Sequence, residues 1–270
     1  MITSPQMVSG GLALIGRHAV ITGASRGIGK AIALLFAESG ADVGIIGRSA
    51  ASLQQLTSEI QQRGRKAVPV LCDVTNPIQV ERMAAELTEK LGPVEVLVNN
   101  AGASGSAKFL DHPDELWHRM LAVNLTSTYY VTKSLVRNMV EQRWGRIINI
   151  GSVASRLGSR YTCAYTASKH GVLGLTRALA AELLPYNITV NAICPGYVDT
   201  PMTSENIERI GELRGRSEAQ IREVVEAASP QHRLMTPEEI AALALFLAQN
   251  SSGGITGQAL NLDGGMGMFY

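Results

Sequence analysis

The sequence is short of cysteine, of aromatic residues (5%), of net charge and of long apolar runs, and each shortage excludes something. Three cysteines, Cys72, Cys163 and Cys194, are an odd number without metal-ligand spacing, so we expect no disulfide framework and no metal site, and read all three as reduced packing residues, with a pocket-lining thiol the alternative for Cys163, two residues before Tyr165. A formal charge of +1 over 270 residues leaves no basic excess to attract nucleic acid or an anionic membrane. The densest apolar stretch, Ala241 to Ala248, is far too short to cross a bilayer, and Met1 to Leu14 lacks the basic start of a secretory leader. The expectation is a cytoplasmic protein with no metal, no nucleic-acid partner and no membrane association.

What is present is 46% hydrophobic and 17% charged, enough to build a sizeable core. Short β-branched runs predict strands at His18 to Thr22, Asp42 to Ile46, Ala67 to Cys72, Val94 to Val98, Gly145 to Ile150, Ile188 to Ile193 and Ala259 to Leu262. Between them lie segments of helical spacing: Gly27 to Ser39, Ala50 to Arg63, Pro77 to Leu91, Glu115 to Arg143, Tyr165 to Leu184 and Pro237 to Gln249. Strands joined through helices require right-handed crossovers, so the chain should form a doubly wound α/β Rossmann fold: one seven-stranded parallel sheet with helices on both faces. No repeat or linker divides residues 1–270, read as one domain with an N-terminal extension over residues 1–15. Pro201 to Arg233 breaks the rhythm where ligands bind in such sheets, and is read as a substrate lid.

Two motifs carry chemistry. Thr22-Gly-Ala-Ser-Arg-Gly-Ile-Gly29 runs from the first strand into the first helix, where glycines let backbone approach a pyrophosphate and the helix start offers free N–H groups. Tyr165 and Lys169 stand four apart in a helix and so share a face. An ordinary phenol is a poor base at neutral pH, and a neighbouring ammonium would stabilise the phenolate and bring its pKa toward the working range. Ser152, at a strand's carboxyl end thirteen residues before Tyr165, could hydrogen-bond a substrate oxygen.

The spacing Thr-Gly-x-x-x-Gly-x-Gly, with Asn99-Asn100-Ala101-Gly102, Asn124, Ser152, Tyr165, Lys169 and Pro195-Gly196 in order along nearly the whole chain, resembles the short-chain dehydrogenase/reductase family. The resemblance implies catalysis by Asn124, Ser152, Tyr165 and Lys169, with Asn124 in a water-mediated proton relay to the lysine. It implies cofactor binding by Gly23, Ser25, Arg26, Gly27, Ile28 and Gly29 at the phosphates, Asp73 and Val74 at the adenine, and Asn100, Ala101 and Gly102 at the adenosine. Pro195, Gly196, Val198 and Thr200 would hold the nicotinamide end, and Tyr165 and Lys169 the adjoining ribose. Asp73 could equally be a turn cap. The second strand ends in Gly47-Arg48 instead of the acidic residue that receives a ribose hydroxyl, so Arg48 and Arg26 are expected to clamp a 2′-phosphate and to favour NADP(H) over NAD(H).

Two substrate classes compete within the resemblance. Gly254 to Gly265 and the overall length resemble bacterial 3-oxoacyl-acyl-carrier-protein reductases, and Tyr165 to Met202 resembles polyketide ketoreductases. Arg143 matches one basic position of the carrier-dependent enzymes while Tyr186 departs from the other, which leaves a carrier-protein partner open. Ser152 to Leu157 also resembles polyol and gluconate-type dehydrogenases, whose substrate carboxylate Arg156 or Arg160 could bind. A non-catalytic dinucleotide sensor is the reading of a different class, and the intact Asn124, Ser152, Tyr165 and Lys169 argue against it. A small-molecule substrate and a homotetramer or homodimer are expected, with the apolar end Met266 to Tyr270 against a neighbouring subunit.

Overall fold

The computed structural model describes residues 12–268. The elements run β1 (His18–Thr22), α1 (Gly27–Glu38), β2 (Asp42–Gly47), α2 (Ala50–Gln61), β3 (Ala67–Leu71), α3 (Pro77–Lys90), β4 (Val96–Asn99), α4 (Asp114–Leu121), α5 (Ser127–Gln142), β5 (Gly145–Ile150), α6 (Cys163–Leu183), β6 (Ile188–Pro195), α7 (Pro201–Arg214), α8 (Glu218–Ala227), α9 (Pro237–Ala248) and β7 (Ala259–Leu262). All seven strands pair in parallel in the order β3-β2-β1-β4-β5-β6-β7. The order reverses between β1 and β4, which opens a crevice beyond their carboxyl ends, where an open α/β sheet binds ligands.

The period-two geometry of the strands feeds two cores. Ala19 and Ile21, Val43 and Ile45, and Val96 and Val98 turn to one face, against Ile32 and Phe36 of α1, Leu53 and Leu56 of α2 and Ala244 of α9. Val20, Ile46 and Leu97 turn to the other, against Met83 and Leu87 of α3 and Leu135 and Met139 of α5. With both faces covered, the strands read as continuous apolar runs, and that makes them conspicuous in the sequence.

The single helix expected over Glu115 to Arg143 is instead α4 and α5 separated by a π-helical turn, Ala122–Thr126. Its cause lies off the helix: the Asn124 side chain is drawn out of register to meet both backbone polar groups of Ala103 on the loop after β4. The segment 201–233 forms α7 and α8, which share a small core of Ile207, Ile221, Val225 and Leu234. Of the expected extension over residues 1–15, only the last four lie among the described residues; there Leu14 is buried and donates its N–H to the Ser39 carbonyl. Met268 is exposed, and Phe269 and Tyr270 lie outside the described residues.

Candidate active site

The glycine turn is held from below by the loop after β4. The Asn100 amide donates to the carbonyls of Thr22 (2.9 Å) and Gly23 (3.0 Å), and the Thr22 hydroxyl accepts from the N–H groups of Asn100 and Ala101 (3.0 Å each). A Cβ on Gly23, which has φ +63°, would lie 3.0 Å from the Ala101 Cα, so a larger residue there is both strained and crowded. The Asn100 side chain is thus a brace for the turn.

α1 starts differently from most helices of the chain. α2, α3, α7, α8 and α9 begin with a side-chain cap from Ser49, Asn76, Thr200, Ser217 and Thr236, whereas Arg26 gives α1 none, and no acidic residue occupies its first turn. Its first N–H groups and dipole face the crevice, as a phosphate requires. Ser25 abuts Gly47, where an added Cβ would lie 3.5 Å from the Ser25 Cβ. Arg48 is exposed at the end of β2. Ile28 packs against the core and Gly29 is buried.

Two side chains at this end have partners within the chain. The Arg26 guanidinium turns onto Glu205 of α7, whose first turn passes over the glycine loop. Asp73 is a turn cap: its Oδ1 accepts from the N–H (3.0 Å) and hydroxyl (2.8 Å) of Thr75. The backbone bond from Thr75 dominates in holding its carboxyl below the usual range, and the charge of Arg48 helps. Val74 beside it is buried.

The chemical groups meet beyond the carboxyl ends of β4, β5 and β6. Lys169 is 6% exposed, donates to the Ile150 carbonyl (2.9 Å), and stands 5.9 Å from the centre of the Tyr165 ring. Asn124, fully buried, accepts from the Ala103 N–H (2.9 Å) and donates to the Ala103 carbonyl and the Ser168 hydroxyl (3.1 Å each). Gly102 lies between them: a Cβ there would stand 3.0 Å from Asn124 Oδ1 and 3.8 Å from Lys169 Nζ. Ser152 caps the short turn after β5, accepting from the Ala154 N–H (3.1 Å).

The electrostatics reverse the simple expectation for the pair. Burial raises the Tyr165 phenol above its ordinary value; the Ser152 hydroxyl opposes this, and Tyr197 and Cys194 reinforce it. Lys169 does not offset this burial in the resting site, where its own ammonium is pushed down to about 8 by removal from water. Removal from water outweighs attraction between the two groups. In this state Tyr165 is a neutral proton donor at neutral pH.

At the nicotinamide end the backbone is largely committed within the chain. The Gly196 N–H donates to Leu262 (3.1 Å), the Val198 carbonyl accepts the Thr203 hydroxyl (2.6 Å), and Pro195 ends β6. Thr200, expected at the nicotinamide end, caps α7 by accepting from the Thr203 N–H (3.3 Å). Its Cγ2 would lie 3.2 Å from a Cβ on Gly27 (φ +55°), so the two ends of the crevice touch here.

Of its two readings, Cys163 takes the pocket-lining one. With Ala107, Phe109, Ser159, Arg160 and Tyr161 it lines a cavity of about 360 Å³ beside the start of α6. Cys72 and Cys194 are buried as expected. Arg156 donates to Asn261 (3.2 Å), and Arg143, capping α5 with φ 53°, donates to the Pro185 carbonyl (2.8 Å) at the amino end of β5, away from the crevice. Ser168, which holds Asn124, went unread although it stands inside the Tyr165 to Lys169 motif; a polar residue on a helix's inward face was the available signal. Glu205 left no such signal.

Residues 23–267 match a family model described as enoyl-(acyl carrier protein) reductase. The chain is 39% identical over 254 residues to a D-beta-hydroxybutyrate dehydrogenase of Rhizobium meliloti, covering 92% of this chain and 98% of the relative. It is 38% identical over 253 residues to the 3-oxoacyl-acyl-carrier-protein reductase FabG of Thermotoga maritima, covering 94% and 98%. A crystal structure of actinorhodin polyketide ketoreductase with NADPH superposes with a TM-score of 0.90 at 37% identity, covering 94% of this chain and 98% of that one. The chain belongs to the short-chain dehydrogenase/reductase family.

Proposed function

We propose that this chain is an NADP(H)-dependent oxidoreductase that reduces the carbonyl of a 3-oxoacyl thioester or a related small ketone. The observation that carries the reading is the meeting of Ser152, Tyr165 and Lys169 at the carboxyl end of β5, beside a glycine turn whose helix start is uncapped. The names of the relatives support it, as does the NADPH in the solved ketoreductase.

The residues present fit a nicotinamide dinucleotide. The free N–H groups of α1 suit its pyrophosphate, and the exposed Arg48, with no acid at the end of β2, suits a 2′-phosphate. Bound there, the cofactor supplies the hydride. The chain's own residues handle the proton: Ser152 orients the substrate oxygen, Tyr165 donates its phenolic proton to that oxygen, and the Lys169 ammonium beside the ring stabilises the phenolate left behind. Asn124 keeps the floor of this site in place through Ala103 and Ser168, and a relay through it to Lys169 belongs to the same reading. Residues 201–233 serve as the lid of this single domain, tied to the loop after β4 by Asn206 to Ser104 (2.9 Å) and Arg209 to Ser106 (3.0 Å). Free cysteines favour a reducing, cytoplasmic setting, and exposed Trp117 and Tyr129 on α4 and α5 favour a homodimer or homotetramer. A second reading, oxidation of a small hydroxy acid, has Arg160 on the wall of the cavity in its favour.

The test follows NADPH and NADH absorbance with an acetoacetyl thioester, a keto sugar acid and a cyclic diketone. Oxidation of NADPH with the thioester, lowered roughly 10²- to 10⁴-fold in kcat by Tyr165→Phe, is the expected outcome. Turnover of the sugar acid alone moves the reading to the hydroxy-acid class. A Tyr165→Phe enzyme within ten-fold of wild type removes Tyr165 from proton transfer, and no turnover with any ketone returns the non-catalytic sensor.

A further inference from the structure

We infer that Glu205 sets how strongly this chain discriminates a ligand carrying a 2′-phosphate from one lacking it, by holding Arg26 on α7 until a phosphate displaces it. The inference rests on the NADP(H) reading and deepens it.

Arg26 is the last residue before α1, and Glu205 lies 179 positions away in the first turns of α7. Both guanidinium Nη atoms reach the carboxylate, Nη1 to Oε1 and Nη2 to Oε2 at 3.4 Å. The partners are 55% and 57% exposed. An ion pair so open to water and salt favours the joined state only roughly two- to five-fold. A phosphate monoester offers nearly twice the charge and three acceptor oxygens to the same guanidinium, so it wins the exchange. Glu205 is therefore a built-in competitor. It weakens binding of a ligand whose phosphate needs Arg26, and leaves alone a ligand that does not.

The other charges nearby do not play this part. Arg48, exposed at the end of β2, acts on Asp73 and is in no ion pair among the described residues, and neither is the exposed Glu208 of α7. The remaining ties of α7 to the loop after β4, through Asn206 and Arg209, involve no carboxylate, so displacement of Glu205 leaves them in place.

The test is calorimetric binding of 2′,5′-ADP and of 5′-AMP to the full chain, wild type, Glu205→Gln and Glu208→Gln. Neither ligand carries a nicotinamide, so the readout is independent of turnover. Glu205→Gln should bind 2′,5′-ADP roughly two- to five-fold more tightly and 5′-AMP unchanged, and Glu208→Gln should alter neither. An unchanged affinity for 2′,5′-ADP in Glu205→Gln overturns the inference, and so does an equal gain in Glu208→Gln, which would reduce the effect to net charge. The wild-type preference between the ligands tests the NADP(H) reading separately: without a preference that reading fails, while one that appears only in Glu205→Gln still supports the role of Glu205.

Discussion

The two ends of the crevice use charge under opposite conditions. At the phosphate end, Arg26, Arg48 and Glu205 stand in water, where attraction is weak and partners exchange. At the chemical end, Lys169 is almost wholly enclosed, and the cost of removing it from water exceeds what any neighbour returns. The same residue types therefore do different things: an exposed cation is held loosely and can be handed to a ligand, whereas a buried one is strained toward neutrality and stabilises an anion when one forms beside it. The Tyr165 phenol follows the same rule, raised by burial and restrained by a single hydroxyl.

Apart from the loss of turnover in Tyr165→Phe, the largest effect that could break this contrast is on stability at the buried end. The folded pKa of Lys169, about 8, lies below the 10.5 of the exposed side chain. Between these values the unfolded chain binds more protons, so stability should rise with pH from about 8 toward 10.5. Lys169→Met should abolish this contribution, so that the difference between the two proteins' unfolding free energies changes by on the order of 2 kcal/mol across the window. Cys72, raised to about 11, and Tyr165, also raised, act in the opposite sense at the alkaline edge, but both proteins contain them. Denaturant melts of both at several pH values supply the measurement. Parallel curves would mean that the ammonium is solvated after all.

At the exposed end the expected effect is smaller and confined to one ligand. Arg48→Gln should weaken NADPH binding roughly ten-fold while leaving NADH within two-fold, since a guanidinium–phosphate contact has no counterpart on a ribose hydroxyl. Fluorescence titration with both cofactors decides it. Equal losses would indicate that Arg48 supports the fold of the loop instead, through its influence on Asp73.

How far the sequence showed this in advance follows from the same division. The sheet was legible because strands enclosed by helices on both faces must be apolar throughout, and Tyr165, Lys169 and Ser152 stood in a spacing that the fold brings together. The π turn was not, because the pull on Asn124 comes from Ala103, twenty-one residues away on a loop. Nor was the sense of the Tyr165 and Lys169 shifts, since proximity can be counted along a helix but desolvation depends on what three other strands and a loop enclose. Arg26 showed its charge and not its partner, because Glu205 comes to the glycine turn from 179 positions away through the tertiary fold.

The smallest effect sharpens the comparison by examining another exposed pair, one that serves only the fold. Arg233 holds Glu239 through two bonds, 2.7 and 2.8 Å, and Glu239 also accepts from the Thr236 N–H (2.7 Å) while Thr236 accepts from the Glu239 N–H (3.2 Å), closing the capping box that starts α9. The guanidinium bond, then the backbone bond, hold this carboxyl down to about 2. Its folded value lies below that of the unfolded chain, so its contribution is complete above about pH 4.5 and is lost as pH falls through 2. Because the pair is partly exposed, Glu239→Gln should cost only roughly 0.5–1 kcal/mol at pH 7, and the gap from wild type should close toward pH 2. Urea melts at pH 7 and pH 3 test this. A loss of several kcal/mol would show that ion pairs on this surface are stronger than their exposure implies, and Arg26 would then be held by Glu205 too firmly to be handed to a phosphate.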